Sequence, residues 1–295
     1  MDRPGSIPVL VARGKSLAEA WERSVVALWE GGCDIRTEYD AKDDDGNYVD
    51  PPSKDSTMMI VVEDPSSEPF YHKAFPGGLE DLQEYSMEVC EGIKDHWMNQ
   101  PDPTGTKWKY TYHDRIFRYT VDHMNGWIDQ YVGAIKKLAK SPHSRRVQMV
   151  TWKVWEDIFI DDPACLQSIW CRVLPDADGI WWLNMNVRFR SRDAYDAAFM
   201  NCVGFIKFME MFARDLSEAS GHEVRLGRYV DLSDSYHIYG KRHEHFRENF
   251  LKLLHERKFD GDEGRTWTRE FAEPIMQEFI PAIRAKVEAQ DAKYE

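Results

Sequence analysis

Residues 194–219 limit the possible folds most sharply. Tyr195, Phe199, Cys202, Phe205, Ile206, Met209, Phe212 and Leu216 recur at helical spacing. Together they form an apolar face too wide for a helix lying on a surface. Gly221 follows and is predicted to close the helix. Such a helix must run through a core, so the rest of the chain must supply layers around it. The chain has the material to do so: 295 residues, 42% apolar and 13% aromatic, with 11 Trp, 13 Tyr and 14 Phe. This composition excludes a disordered chain.

The other segments read as a mixture of helices and strands. The spacing of Leu17, Ala20, Trp21, Val25, Leu28 and Trp29 predicts a helix over 17–31, ended by Gly31-Gly32. Residues 39–54 are polar and hold Asp43 to Asp45, Gly46, Pro51 and Pro52, which predicts a mobile loop. Residues 58–62 read as a buried strand. A helix is predicted over 79–91, between Gly77-Gly78 and Gly92. Residues 97–107 are rich in turn formers. A third helix is expected over 126–140, with Trp127, Ile128, Tyr131, Ile135 and Leu138 on one face. Residues 147–152 look like a strand, and 165–173 and 180–189 form a hairpin across Pro175-Asp176-Ala177-Asp178-Gly179. Residues 222–239 look like a further pair of strands. From Arg242 onward the pattern is one of charged helices, with breaks at Pro274 and Pro281. With no internal repeat or linker, one α+β domain over 1–295 is the simplest organisation.

Charge and cysteine usage narrow the function. The formal net charge is −13, which argues against general binding to nucleic acid, although a few focused Arg residues can still hold one phosphate. The five cysteines form no CxxC pair, so no zinc ribbon, redox motif or other metal site is indicated. The sequence shows no signal-like or membrane-spanning apolar run, and free thiols in a reducing cytoplasm are the expectation.

Several residues are suited to chemistry. Cys165 follows Asp161-Asp162-Pro163-Ala164 at a strand start. Near Arg side chains its pKa would fall and the thiolate would be a nucleophile; the duller reading is a core cysteine. Arg145-Arg146 and Arg190-Ser191 fit phosphate oxygens, or alternatively ordinary ion pairs. Asp193 stands where a carboxylate would cap the long helix. Asn201 lies on that helix's apolar side and needs partners, either a pyrimidine edge or a neighbouring strand. His237 and Tyr239 alternate along a strand and so share a face, suited to a sugar hydroxyl or to a core pair.

Taken in order, Ser144-Arg145-Arg146, Pro163-Ala164-Cys165, Arg190-Ser191-Arg192-Asp193, Asn201 and His237-Ile238-Tyr239 resemble the thymidylate synthase family, which includes pyrimidine hydroxymethylases. The resemblance runs from about 36 to 239 and is strongest over 144–239. It implies a mixed sheet with a long buried central helix, and a homodimer joined through a sheet face. It implies that Cys165 attacks C6 of the pyrimidine, activating C5 toward the methylene of 5,10-methylenetetrahydrofolate. Arg190 and Ser191 match phosphate ligands, Arg36 a loop phosphate ligand, and Arg145 and Arg146 the pair that a partner subunit donates. Asn201 matches the base-reading residue, and His237 and Tyr239 the sugar contacts. Asp193 matches a pterin contact, Trp97 a folate-facing Trp, and Tyr112 the Tyr of the proton relay. For the general base, Glu84 is preferred on spacing over Glu88.

The chain also departs from the synthase pattern. Leu166 and Trp170 stand where synthases carry His and Gln, and Ala197-Ala198-Phe199-Met200 replaces Gly-x-Pro-Phe. Ser235 replaces an Asp of the sugar-binding motif, and the chain ends Asp291-Ala292-Lys293-Tyr294-Glu295 instead of in a short apolar tail. These changes fall near the base, folate and lid. They lead to the expectation of a C5-hydroxymethylase, with CMP preferred over dCMP, as in the hydroxymethylases of mildiomycin-type nucleoside antibiotic biosynthesis. A divergent synthase acting on dUMP, a non-catalytic nucleotide binder and a cysteine hydrolase using Cys165 and His237 are the alternatives.

Overall fold

The computed structural model describes residues 5–99 and 109–291. The chain opens with β1 (Val9–Gly14), α1 (Leu17–Gly31), β2 (Cys33–Ile35) and β3 (Ser53–Val62). β4 (Tyr71–His72), α2 (Leu79–Glu91), α3 (Tyr112–Phe117) and α4 (Gln130–Lys140) follow. Then come β5 (Val147–Val150), β6 (Leu166–Pro175), β7 (Trp181–Asp193), α5 (Ala198–Ser220) and β8 (Val224–Ile238). The C-terminal part holds α6 (His243–His245), a π-helical stretch at Phe246–Leu251, α7 (Lys252–Glu256), β9 (Thr266–Trp267) and α8 (Arg269–Asp291). None of the described helices is long and apolar enough to cross a membrane.

One seven-stranded sheet organises the molecule, in the order β1-β3-β8-β7-β6-β5, with β2 also on β3. β1 and β3 are parallel, as are β7 and β8, and the remaining pairs are antiparallel. α5 packs against α2, α4, β7 and β8. Phe199, Cys202, Phe205, Ile206, Phe212 and Leu216 are fully buried there, as the wide apolar face requires. Gly221 ends α5 in the left-handed region (φ +72°), its N–H donating to the Ser217 carbonyl at 2.9 Å. The fold is therefore the mixed-sheet α+β architecture expected, with a buried central helix.

Of the boundaries that differ from the sequence expectation, four have a clear local reason. α5 begins at Ala198, not at 194. The preceding residues form a turn in which Asp193 Oδ1 accepts from the Tyr195 and Asp196 N–H groups at 2.9 and 2.8 Å, and the Ala194 carbonyl accepts from Trp21 Nε1 at 3.0 Å. α4 begins at Gln130 because Asp129 caps it, accepting from the Val132 N–H at 2.8 Å. Trp127 and Ile128 are exposed ahead of it instead of lying on its face. Residues 222–239 form one 15-residue strand, not two. Gly227 is not a turn residue: a Cβ there would lie 2.8 Å from the Leu183 carbonyl oxygen, where β7 and β8 shift register between Leu183 and Met185. α8 continues through Pro274 and Pro281. Each proline forfeits one backbone bond, but Ala272, Met276, Ile283 and Val287 form a buried stripe that holds the helix in place.

α2 lies directly on α5, and Gly204 sets how closely. A Cβ at Gly204 would fall 2.6 Å from a ring carbon of Tyr85. Gly204→Ala is expected to displace that ring at a cost of about 1–3 kcal/mol, read as a lower urea midpoint with unchanged slope. Wild-type stability in this variant would contradict so tight a contact.

Candidate active site

The parallel register of β7 and β8 pairs Ser191 with Ser235 and Asp193 with His237. Since alternate residues share a face, Ser191, Asp193, Ser235 and His237 gather at one end of the sheet. Tyr239 lies one residue beyond β8, its ring edge-on to His237 with centroids 4.6 Å apart. Asn201 sits in the first turn of α5, its N–H bonded to the Ala197 carbonyl at 3.0 Å.

Cys165 stands immediately before β6. Its carbonyl accepts from the Arg190 N–H at 2.8 Å. The Arg190 guanidinium donates to the Pro163 and Ala164 carbonyls at 2.6 and 3.2 Å, so β7 grips the segment that carries the thiol. Tyr112 begins α3, and its hydroxyl accepts from the Leu166 N–H at 3.3 Å. The connection from β5 is anchored by a buried ion pair: Arg115 donates to both Asp157 oxygens at 2.9 and 3.1 Å, and to the Thr151 carbonyl at 3.0 Å.

These elements enclose a cavity of about 960 Å³, the size of a site for a small organic ligand. Cys165, Tyr112, Ser191, Asn201, His237 and Tyr239 line it, as do Asp193 and Glu88. The structure thus brings together eight residues singled out from the sequence. It places others elsewhere. Glu84 is held by Lys94 and Lys286, at 2.7 and 2.6 Å, and does not line the cavity; Glu88, one turn on, does. Arg36 is engaged within its own loop, by Asp40 at 3.3 Å, the Asp50 carbonyl at 2.8 Å and the Tyr48 ring at 4.0 Å. Arg145 and Arg146 are exposed just ahead of the edge strand β5. Trp97 lies in a short 3-10 turn over Asp95–Asn99 and is not among the lining residues.

The electrostatics differ from the sequence expectation at the thiol. Burial raises the Cys165 pKa above its ordinary value and outweighs the opposing pull of the Arg190 charge; the predicted lowering does not occur. Burial also raises Glu88, despite Lys94 at 3.1 Å. Glu84 is pulled upward by burial too, yet its bonds to Lys286 and Lys94 hold it below the usual carboxylate range. Asp193 is pushed up to about 6 by burial, against the two turn N–H groups that it accepts. His237 is driven down to about 4, chiefly by burial, and is neutral at pH 7.

Sequence reasoning missed part of the wall. Asp161 and Asp162 line the cavity beside Cys165, as do Tyr85 and Tyr110. The Tyr110 hydroxyl donates to the Pro163 carbonyl at 3.4 Å. The i, i+2 spacing of Tyr110 and Tyr112 was the available signal. Among the described residues no group of His, Cys, Asp or Glu is placed to hold a metal ion.

The Thymidylate synthase family profile matches residues 78–258, the span that supplies every residue lining this cavity. The chain belongs to the thymidylate synthase family. Its members are folate-dependent one-carbon transferases that use methylenetetrahydrofolate as co-substrate. The chain is 26% identical over 235 residues to a candidate thymidylate synthase of Methanosarcina mazei, covering 78% of this chain and 89% of that one. It is 24% identical over 239 residues to another from Methanocaldococcus jannaschii, covering 79% and 92%. The fold is similar to that of thermostable thymidylate synthase A from Bacillus subtilis, with a TM-score of 0.56, 16% identity, and coverage of 82% of this chain and 85% of that one.

The raised thiol makes a direct prediction. Cys165 should alkylate slowly with iodoacetamide at pH 7, and its rate should climb until the pH passes 9, because only the thiolate reacts. Arg190→Ala should slow it a further few-fold at pH 8. Peptide mass analysis reads the Cys165 label directly. Full-speed alkylation at pH 7 would contradict the dominance of burial.

Proposed function

We propose that this protein, as a single catalytic domain working in a homodimer, transfers a one-carbon unit to C5 of a pyrimidine nucleoside monophosphate and releases a hydroxymethylated product, with CMP preferred. The observation that carries this reading is the convergence of one thiol, one amide, the Ser191 and Tyr239 hydroxyls and the His237 imidazole on one cavity. The folate co-substrate supplies the carbon at the methylene level of oxidation. The cavity suits its flat ring: Tyr110, Phe159 and Ile160 give apolar surface, and Phe159 is 80% exposed.

In this mechanism Cys165 Sγ adds to C6 and makes C5 nucleophilic. C5 takes the methylene and loses its proton, and tetrahydrofolate leaves. Water adds to the exocyclic carbon, and the Cys165–C6 bond breaks to release the thiol. Asn201 reads the base edge, with either amide orientation available. Ser191 binds the phosphate, and Arg190 does so by exchanging its carbonyl partners. Arg36 joins them from its loop, and Arg145 and Arg146 come from the partner subunit, which their exposure at the sheet edge supports. His237 and Tyr239 bind the sugar, and Asp193 a pterin amine. Tyr112 stands beside the thiol for proton transfer. Glu88 replaces Glu84 as the proposed general acid and base, because it lines the cavity and burial raises its proton affinity.

Hydroxymethyl transfer requires water at the exocyclic carbon. The support for it is that Asp161 and Asp162, two carboxylates with acceptor oxygens to offer a water, line the same cavity as Cys165. The departures at Leu166 and Trp170 give no such support: Leu166 is core, and Trp170 donates to the Arg145 carbonyl at 3.2 Å. The C-terminal tail lies largely outside the described residues. The second reading, a divergent synthase that methylates dUMP, is favoured by the names of the archaeal relatives.

Incubation with methylenetetrahydrofolate and equal CMP, dCMP and dUMP, followed by mass analysis, separates the two. A hydroxymethylated cytidine nucleotide is expected; a methylated deoxyuridine nucleotide establishes the synthase. Cys165→Ser should abolish turnover while nucleotide binding persists, and unchanged turnover would sink both readings. Glu88→Gln is expected to lower kcat by roughly 10²–10⁴-fold. Glu84→Gln should cost less than about tenfold, and the reverse order would restore Glu84 as the base.

A further inference from the structure

A buried carboxylate that the mechanism does not use lies behind His237. Asp55 on β3 pairs in register with His237 on β8, and Ser235 shares their face two residues earlier. Asp55 is 4% exposed. Its Oδ2 accepts from Ser235 Oγ at 2.6 Å, and Ser235 Oγ is 3.2 Å from His237 Nδ1. Its Oδ1 is buried without a hydrogen-bond partner. Burial pushes this carboxyl up to about 6, offset in part by the Ser235 hydroxyl and the Ser56 and Tyr236 amides, so it is ionised at pH 7.

The direction of this relay follows from donor and acceptor counts. An ionised carboxylate only accepts, so the single Ser235 hydroxyl hydrogen points to Asp55. The Ser235 oxygen is then left as an acceptor. A neutral imidazole has one N–H, and it lies on Nδ1 to satisfy that oxygen. Nε2 therefore carries a lone pair, on a residue that lines the cavity. We propose that Asp55 is a positioning residue that, through Ser235, fixes the His237 tautomer so that Nε2 accepts a hydroxyl hydrogen from the bound sugar. The consequence is a site selective for nucleotides that keep a free hydroxyl at this edge. The proposal rests on the nucleotide reading above.

Nitrogen-15 NMR of the full chain, with labelled histidine, tests the tautomer without any ligand; His237→Gln identifies the resonance. In the native chain Nδ1 should be protonated and Nε2 bare. Asp55→Asn presents an amide that can donate to Ser235 Oγ and turn the hydroxyl toward Nδ1, so the pattern should reverse. Ser235→Ala, which breaks the relay by a smaller change, should leave mixed tautomers. Calorimetry supplies the second readout. Asp55→Asn should weaken CMP about tenfold, the scale of one hydrogen bond, yet change the affinity for 2′,3′-dideoxy-CMP less than about twofold. An unaltered tautomer in folded Asp55→Asn and Ser235→Ala overturns the relay, as does an equal loss for both nucleotides, which would mark a merely structural role. If the native chain binds neither nucleotide, the nucleotide reading and the hydroxyl contact fail together, and the nitrogen shifts still decide whether Asp55 sets the tautomer.

Discussion

The parallel pairing of β7 with β8 is the constraint on which the rest of the structure depends. Two parallel neighbours need a crossover, and α5 is that crossover. A helix that returns across a sheet must bury the face it lays down, which is why Phe199, Phe205, Ile206 and Phe212 are apolar and fully enclosed. Because the crossover fixes the register, Ser191 and Asp193 face Ser235 and His237 without any loop having to place them. α2 then closes on α5 through the Tyr85 ring over Gly204, which brings Glu88 to the same cavity. The site is thus made mostly of strand ends and helix turns, held by packing.

Much of this was legible in the sequence because it depends on local periodicity. The α2 and hairpin signals place Glu88 and the strand that carries Ser191, and the width of the apolar face on 194–219 predicts the central helix. The order of short motifs around Cys165, Asn201 and His237 identified the family. What the sequence hid was long-range. Residues 222–239 read as a pair of strands, and only the pairing with β3 and β7 shows one continuous strand, with Gly227 beside the Leu183 carbonyl. Pro274 and Pro281 read as breaks until the buried stripe on α8 outweighs them. Glu84 and Glu88 are one turn apart on α2, and spacing cannot say which faces Lys286 and which the cavity. Asp55 is far from every motif, and its relation to His237 exists only through the β3–β8 register.

The electrostatic character of the cavity also resisted prediction. Nearby Arg residues suggest an activated thiolate, yet burial is the larger effect at Cys165. Low dielectric raises every uncompensated acid, and here it raises the Cys165 thiol and the Glu88 and Asp193 carboxyls together while it depresses His237. The ligand-free site therefore combines a protonated thiol and a neutral imidazole with carboxylates whose proton affinity is raised.

Lys94 has a consequence beyond the ion pairs it makes. It bridges two carboxylates on successive turns of α2, touching Glu84 at 2.7 Å and Glu88 at 3.1 Å. Like charges at that separation repel along a helix, and each would raise the proton affinity of the other. One ammonium between them offsets part of that repulsion, and Lys286 as a second partner helps hold Glu84 charged, while burial and the Glu84 charge still raise Glu88. Lys94 therefore ties a structural charge to a titrating one, and α2 carries two carboxylates shifted in opposite directions on successive turns.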